Sequence, residues 1–154
     1  EIVKKIIELT TAKLKKKNYK VFCIIGDGES HEGEVWEAAM FGSHYKLDNL
    51  YVVVDYNHYC TLGNVDEIMN LKPLEDKWNS FGWETIFEED GNNIQNMIRN
   101  FEKLETVNGK PKCIIANTQK NKGVPSWEKE HIHHVAGEKL FDGVEEGRKI
   151  LKNE

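Results

Sequence analysis

Cysteine and proline are scarce in this sequence, with three of each in 154 residues, and each scarcity removes a class of protein. Cys23, Cys60 and Cys113 are odd in number, form no CxxC pair and lie in or beside apolar stretches. They read as buried free thiols of a reducing compartment, not as a disulfide framework. Glycines cluster no more than two or three at a time, which excludes collagen-like repeats, and the composition is not that of a disordered chain. No apolar run approaches the roughly 18 residues of a membrane-spanning helix. The opening Glu1-Ile2-Val3-Lys4-Lys5 has no basic n-region, apolar h-region or cleavage site, so the expectation is a cytoplasmic protein with no membrane contact. Basic residues are not in excess either. Lys and Arg number 21 against 26 Asp and Glu, for a net charge of -5, and without a basic stripe no nucleic-acid partner is expected.

What remains is an ordinary globular composition, 39% hydrophobic and 31% charged, of a size that makes residues 1–154 a single domain. Val3, Ile6, Ile7, Thr10 and Leu14 recur at helical spacing, which predicts an amphipathic helix over 1–16. Val21 to Ile25 is a short continuous apolar run, the mark of a parallel strand buried on both faces. A helix nearly apolar all round is predicted over 34–45, and such a helix must be covered on more than one face. Leu50 to Val54 is a second buried strand and Trp83 to Phe87 a third, after a loop or short helix through Leu74, Trp78 and Phe81. Ile94, Met97, Ile98, Phe101 and Leu104 form an amphipathic helix that stops near Asn108-Gly109. Cys113 to Ala116 is the fourth strand, and Leu140, Val144, Ile150 and Leu151 mark a last helix. Strands alternating with helices predict an α/β fold: a mostly parallel sheet with helices on both faces.

In such sheets ligands bind beyond the carboxyl ends of the strands, and the unusual residues of this chain stand there. Asp27, between two glycines, follows the first strand, and Asn57 follows the second, thirty residues later. Each alone is equally a turn residue. Together they offer a carboxylate and an amide oxygen, and a backbone carbonyl from the turn after Asn57 completes a set that Mg²⁺ accepts while keeping places for phosphate and water. A helix just after Gly28 would point N–H groups at the same spot.

The run Gly26-Asp27-Gly28-Glu29-Ser30-His31-Glu32-Gly33-Glu34-Val35-Trp36-Glu37-Ala38-Ala39-Met40-Phe41, continued through His44 to Leu50 and Val54-Asp55-Tyr56-Asn57, closely resembles the transketolase family. Likeness continues through Pro73 to Trp78, Phe81-Gly82-Trp83, Lys110-Pro111 and Ile114 to Thr118, over about residues 20 to 137. The resemblance implies the diphosphate-binding domain of a thiamine diphosphate fold, as a fragment or subunit of a larger enzyme. It implies thiamine diphosphate and Mg²⁺ as cofactors, with Asp27, Asn57 and the backbone carbonyl of Tyr59 on the metal. Cofactor contacts fall to Gly26, Asp27, Gly28, Glu29, Asn57 and His133, and His133 is also the implied catalytic residue near the reacting centre. A zinc site built on His131, His133 and His134 is the other reading of that cluster, but no cysteine or carboxylate stands at ligand spacing.

The implied reaction moves a two-carbon ketol unit between sugar phosphates, and needs a pyrimidine-binding domain or subunit that has no counterpart in these residues. Glu32 and Glu37 match acidic positions at a subunit interface, which implies a dimer or hetero-oligomer; both are equally solvated glutamates at a helix start. His31, His44 and His58 read as surface or loop histidines. Asn121 stands where the family has glycine, and asparagine tolerates the left-handed backbone this requires; Cys60, Leu62 and Asn92 also depart from the family pattern. The alternatives are another thiamine diphosphate enzyme component, a deoxyxylulose phosphate synthase or a 2-oxo acid dehydrogenase part, and a non-catalytic domain that keeps the fold.

Overall fold

The computed structural model describes residues 18–128 and 139–152. The helix expected over 1–16 and the histidines 131, 133 and 134 lie outside the described residues. The chain enters as strand β1 (Val21–Gly26), makes one 3-10 turn at Gly28–His31, and runs into α1 (Gly33–His44) and β2 (Leu50–Tyr56). A two-residue hairpin follows, β3 (Tyr59–Cys60) with β4 (Gly63–Asn64), and then the short helices α2 (Val65–Ile68) and α3 (Leu74–Ser80). Next come β5 (Glu84–Glu88), α4 (Ile94–Glu105), β6 (Lys112–Asn117), α5 (Pro125–Glu128) and α6 (Lys139–Lys152). The main sheet has the order β1-β2-β6-β5, and every neighbouring pair in it is parallel.

The alternation of side chains along each strand divides the core into two layers. Cys23, Ile25, Val52, Val54, Cys113 and Ile115 face one layer with Val35, Ala38 and Ala39 of α1. Tyr51, Ile114 and Ala116 face the other, beneath Met97, Phe101 and Leu104 of α4. Helices thus cover both faces, as the sequence predicts, and each fully buried aliphatic side chain contributes about 1.5–3 kcal/mol. Trp83 anchors α1 to the sheet: its indole N–H donates to the Ala39 carbonyl at 2.8 Å and its ring meets Trp78 edge-on at 4.8 Å. That anchoring takes Trp83 out of the strand it was expected to open, so β5 starts one residue later. α1 is covered over a wide arc, since Trp36 and Phe41 also pack on the core, while Met40 stays 52% exposed.

One expectation needs correction. The residues directly after Gly28 form a 3-10 turn, not the start of an α-helix. Asp27 caps that turn by accepting the Gly28 N–H, and extended backbone at Glu32 (φ -79°, ψ 133°) separates it from α1. Among the described residues no helix is long and apolar enough to cross a membrane.

Candidate functional site

Parallel register brings three strand ends to one place. Gly26 lies opposite Asp55 and Tyr56 opposite Asn117, and the Asp27 N–H extends the ladder by donating to the Asp55 carbonyl at 3.1 Å. Asp27 is 1% exposed. Its carboxylate accepts the Gly28 N–H at 2.8 Å and the His58 N–H at 2.6 Å. Burial raises the Asp27 carboxyl above its ordinary value, with Asp55 adding to the effect, while the two backbone N–H groups oppose it. Asp55 accepts from the Asn57 amide at 2.9 Å and from the Thr118 hydroxyl. Asn57 Oδ1 accepts the Tyr59 N–H at 3.0 Å, which folds the residues after β2 into a tight turn.

Over these residues opens a cleft of about 520 Å³, reached also by Cys60, Leu62 and Lys120. Among the described residues no lysine or arginine pairs with Asp27 or Asp55. Two adjacent carboxylates, one of them buried, therefore face the cleft with no paired lysine or arginine among the described residues, an arrangement that burial makes costly. The donors are hard: a carboxylate, the Asn57 amide oxygen and the Tyr59 carbonyl suit Mg²⁺. Among the described residues no group of three or more His, Cys, Asp or Glu could hold a metal. The residues present fit Mg²⁺ completed by phosphate and water. Lys120 also lines the cleft.

Gly28 is glycine for a steric reason, since a Cβ there would stand 2.6 Å from the Cβ of Cys60. Glu29 reaches the cleft, but its Oε2 accepts the Gly26 N–H at 2.7 Å and closes the end of β1. Glu32 also borders the cleft, whereas Glu37 stands apart, on the outer face of α1 beside Met40 and His44. Both glutamates are exposed. Asn121 adopts φ +62°, in the left-handed region that asparagine tolerates.

One residue departs from the sequence reading and another is more enclosed than it suggested. Cys23 and Cys113 are buried, but Cys60 is only partly covered and lines the cleft. His58 is a loop histidine, one of the two readings made of it, but not an open-surface one. It is half-buried, its ring lies 4.3 Å from that of Tyr56, and its Nε2–H donates to Asn117 Oδ1 at 3.1 Å. Sequence reasoning also passed over Asp55, Asn117, Thr118 and Lys120. For Asp55 a signal existed, an acidic residue closing an otherwise apolar strand; for the others, membership depends on strand register.

The family described as transketolase, thiamine diphosphate binding domain, matches residues 8–152. The chain is 41% identical over 117 residues to an apulose-4-phosphate transketolase subunit of Phocaeicola vulgatus, covering 76% of this chain and 41% of that protein. It is 46% identical over 103 residues to the 6-deoxy-6-sulfo-D-fructose transketolase subunit SqwG of a Clostridium species, covering 67% of this chain and 37% of that one. Among solved structures, transketolase from Campylobacter jejuni superposes with a TM-score of 0.78 at 26% identity, over 86% of this chain and 20% of that one. The chain thus spans less than half the length of these relatives.

Proposed function

The chain belongs to the transketolase family, as its thiamine diphosphate-binding domain, and from that premise we propose that it is the Mg²⁺- and diphosphate-holding part of an enzyme that transfers a two-carbon ketol unit between sugar phosphates. The observation that carries this reading is the Asp27 carboxylate, buried at 1% exposure, fixed by two backbone N–H groups and beside Asp55, with no lysine or arginine of the described residues paired to either. Asp27, Asn57 and the Tyr59 carbonyl hold the metal, and Lys120 neutralises phosphate charge. Gly28, lacking a side chain, leaves the backbone close to the diphosphate. Thiamine diphosphate, when bound, supplies the thiazolium carbanion that takes up and releases the carbon unit. The role of this chain's residues is to bind, orient and neutralise.

His133 completes the reading as the catalytic residue, and a pyrimidine-binding domain or subunit is the required partner. The names of two relatives as transketolase subunits, and the fraction of them that this chain spans, support such a division. Glu32 and Glu37, exposed at the start of α1, are assigned to the interface with that partner or with a second copy.

Calorimetry with thiamine diphosphate tests the assignment. Binding is expected only with Mg²⁺ present, and Asp27→Ala is expected to weaken it at least about a hundredfold, as loss of a buried charged ligand warrants. Binding indifferent to that substitution rejects the site. Turnover of a ketose phosphate donor and an aldose acceptor is expected only when a pyrimidine-binding subunit is added.

A further inference from the structure

His58 has the backbone of a residue placed for a purpose. Its φ is +67°, in the left-handed region that side chains other than glycine seldom occupy. In that conformation its N–H is the shorter of the two donors to Asp27, at 2.6 Å against 2.8 Å, and its carbonyl accepts the Val65 N–H at 2.9 Å. The ring is held independently of the backbone. Nε2–H donates to Asn117 Oδ1 at 3.1 Å, the Asn117 amide donates in turn to the Glu89 carbonyl at 3.2 Å, and the Tyr56 ring packs at 4.3 Å. Because Tyr56 and Asn117 are register partners on β2 and β6, the imidazole spans two strand ends.

We propose that His58 is a positioning residue for the metal site: its ring, clamped between Tyr56 and Asn117, locks the left-handed backbone that directs its N–H onto Asp27. The inference rests on the reading of Asp27 and Asn57 as Mg²⁺ ligands. His58 lies between Asn57 and Tyr59, so a relaxation of its φ toward ordinary values moves both of those donors as well as the N–H on Asp27. Groups that orient a metal ligand without touching the metal typically contribute 10- to 100-fold in affinity. Asn117, at the end of β6, acts on the metal only through the imidazole.

The test is a double-mutant cycle on the full chain, read by calorimetric affinity for thiamine diphosphate at fixed Mg²⁺, with the melting temperature of the metal-free protein as the structural control. His58→Ala is expected to weaken binding about tenfold. Asn117→Ala weakens it by several-fold, and the double variant is no weaker than His58→Ala, because both remove one brace. His58→Gly, which adopts the left-handed region freely, recovers part of the loss. Wild-type affinity in His58→Ala, or losses that simply add in the double variant, overturns the proposal. If His58→Ala does not fold, Asn117→Ala decides: weaker binding at an unchanged metal-free melting temperature supports the brace, and unchanged binding overturns it. Failure of the underlying reading looks different, with wild-type protein showing no Mg²⁺-dependent binding or Asp27→Ala binding as well as wild type, and the brace then falls with it.

Discussion

A single absent carbon shapes the backbone beside Asp27. A Cβ on Gly28 would overlap that of Cys60 at 2.6 Å and approach its Cα at 3.5 Å, and since Gly28 has no positive φ, the constraint is steric alone. Gly28→Ala must push the β3–β4 hairpin away from β1, at a cost of about 1–3 kcal/mol for overpacking. We expect a lower melting temperature and weaker thiamine diphosphate binding, and we expect Cys60→Gly in the same chain to restore both, which paired thermal melts and calorimetry would check. At this scale the sequence was legible where chemistry is local. Asp27 between glycines and Asn57 after a strand were expected to meet at one sheet edge from residue type and position, and both border the cleft. His58 did not stand out in the sequence, because the features that set it apart are a dihedral angle and Asn117, a partner 59 residues away. Glu29, expected as a cofactor contact, lines the cleft and also accepts the Gly26 N–H, a local bond that residue type alone does not reveal.

Among the elements, β5 and α4 are joined by one carboxylate. Glu88 accepts from the Asp90 N–H at 3.0 Å, from Asn96 at 2.9 Å and from Asn100 at 2.7 Å. These donors, the Asp90 N–H foremost and then Asn100, hold the Glu88 carboxyl below its ordinary value against the opposing effect of burial. A depressed carboxyl binds its proton less readily in the fold than in the unfolded chain. Its contribution to stability is therefore complete above the ordinary glutamate value and is lost as pH falls through the lowered one. Glu88→Ala is expected to cost about 1 kcal/mol near neutral pH and less in acid, so the gap between the urea midpoints of the two proteins should narrow as pH drops. The strands themselves were readable, since continuous apolar runs mark positions buried on both faces. The β3–β4 hairpin was not, because two residues per strand carry no period, and the 3-10 turn after Gly28 resembled a helix start for the same reason of brevity.

For the molecule as a whole, ligand binding and folding share one equilibrium. A ligand at about 100 times its Kd adds about 2.7 kcal/mol to stability, which for a domain of this length amounts to a rise in melting temperature of about 5–10 °C. Mg²⁺ with thiamine diphosphate is expected to produce that rise, neither to produce it alone, and Asp27→Ala to abolish it in differential scanning fluorimetry. The architecture supports such transmission, because Asp27, Asp55 and Asn117 all stand on or directly after strands of one sheet whose two cores share β2 and β6. Overall class was the most legible level of all: alternating strands and helices admit few layer arrangements. The strand order β1-β2-β6-β5 was not, since burial patterns do not say which neighbour a strand chooses.

The grip of two backbone N–H groups on Asp27 bears finally on metal capture. One donor comes from the residue that follows Asp27 and the other from a loop 31 residues on, so the carboxylate is immobilised before any cation arrives. On the proposed reading, the entropy of arranging this carboxylate belongs to folding and not to metal capture. If Asp27 ligates Mg²⁺ as proposed, the ion meets a carboxylate that the fold already holds at one position.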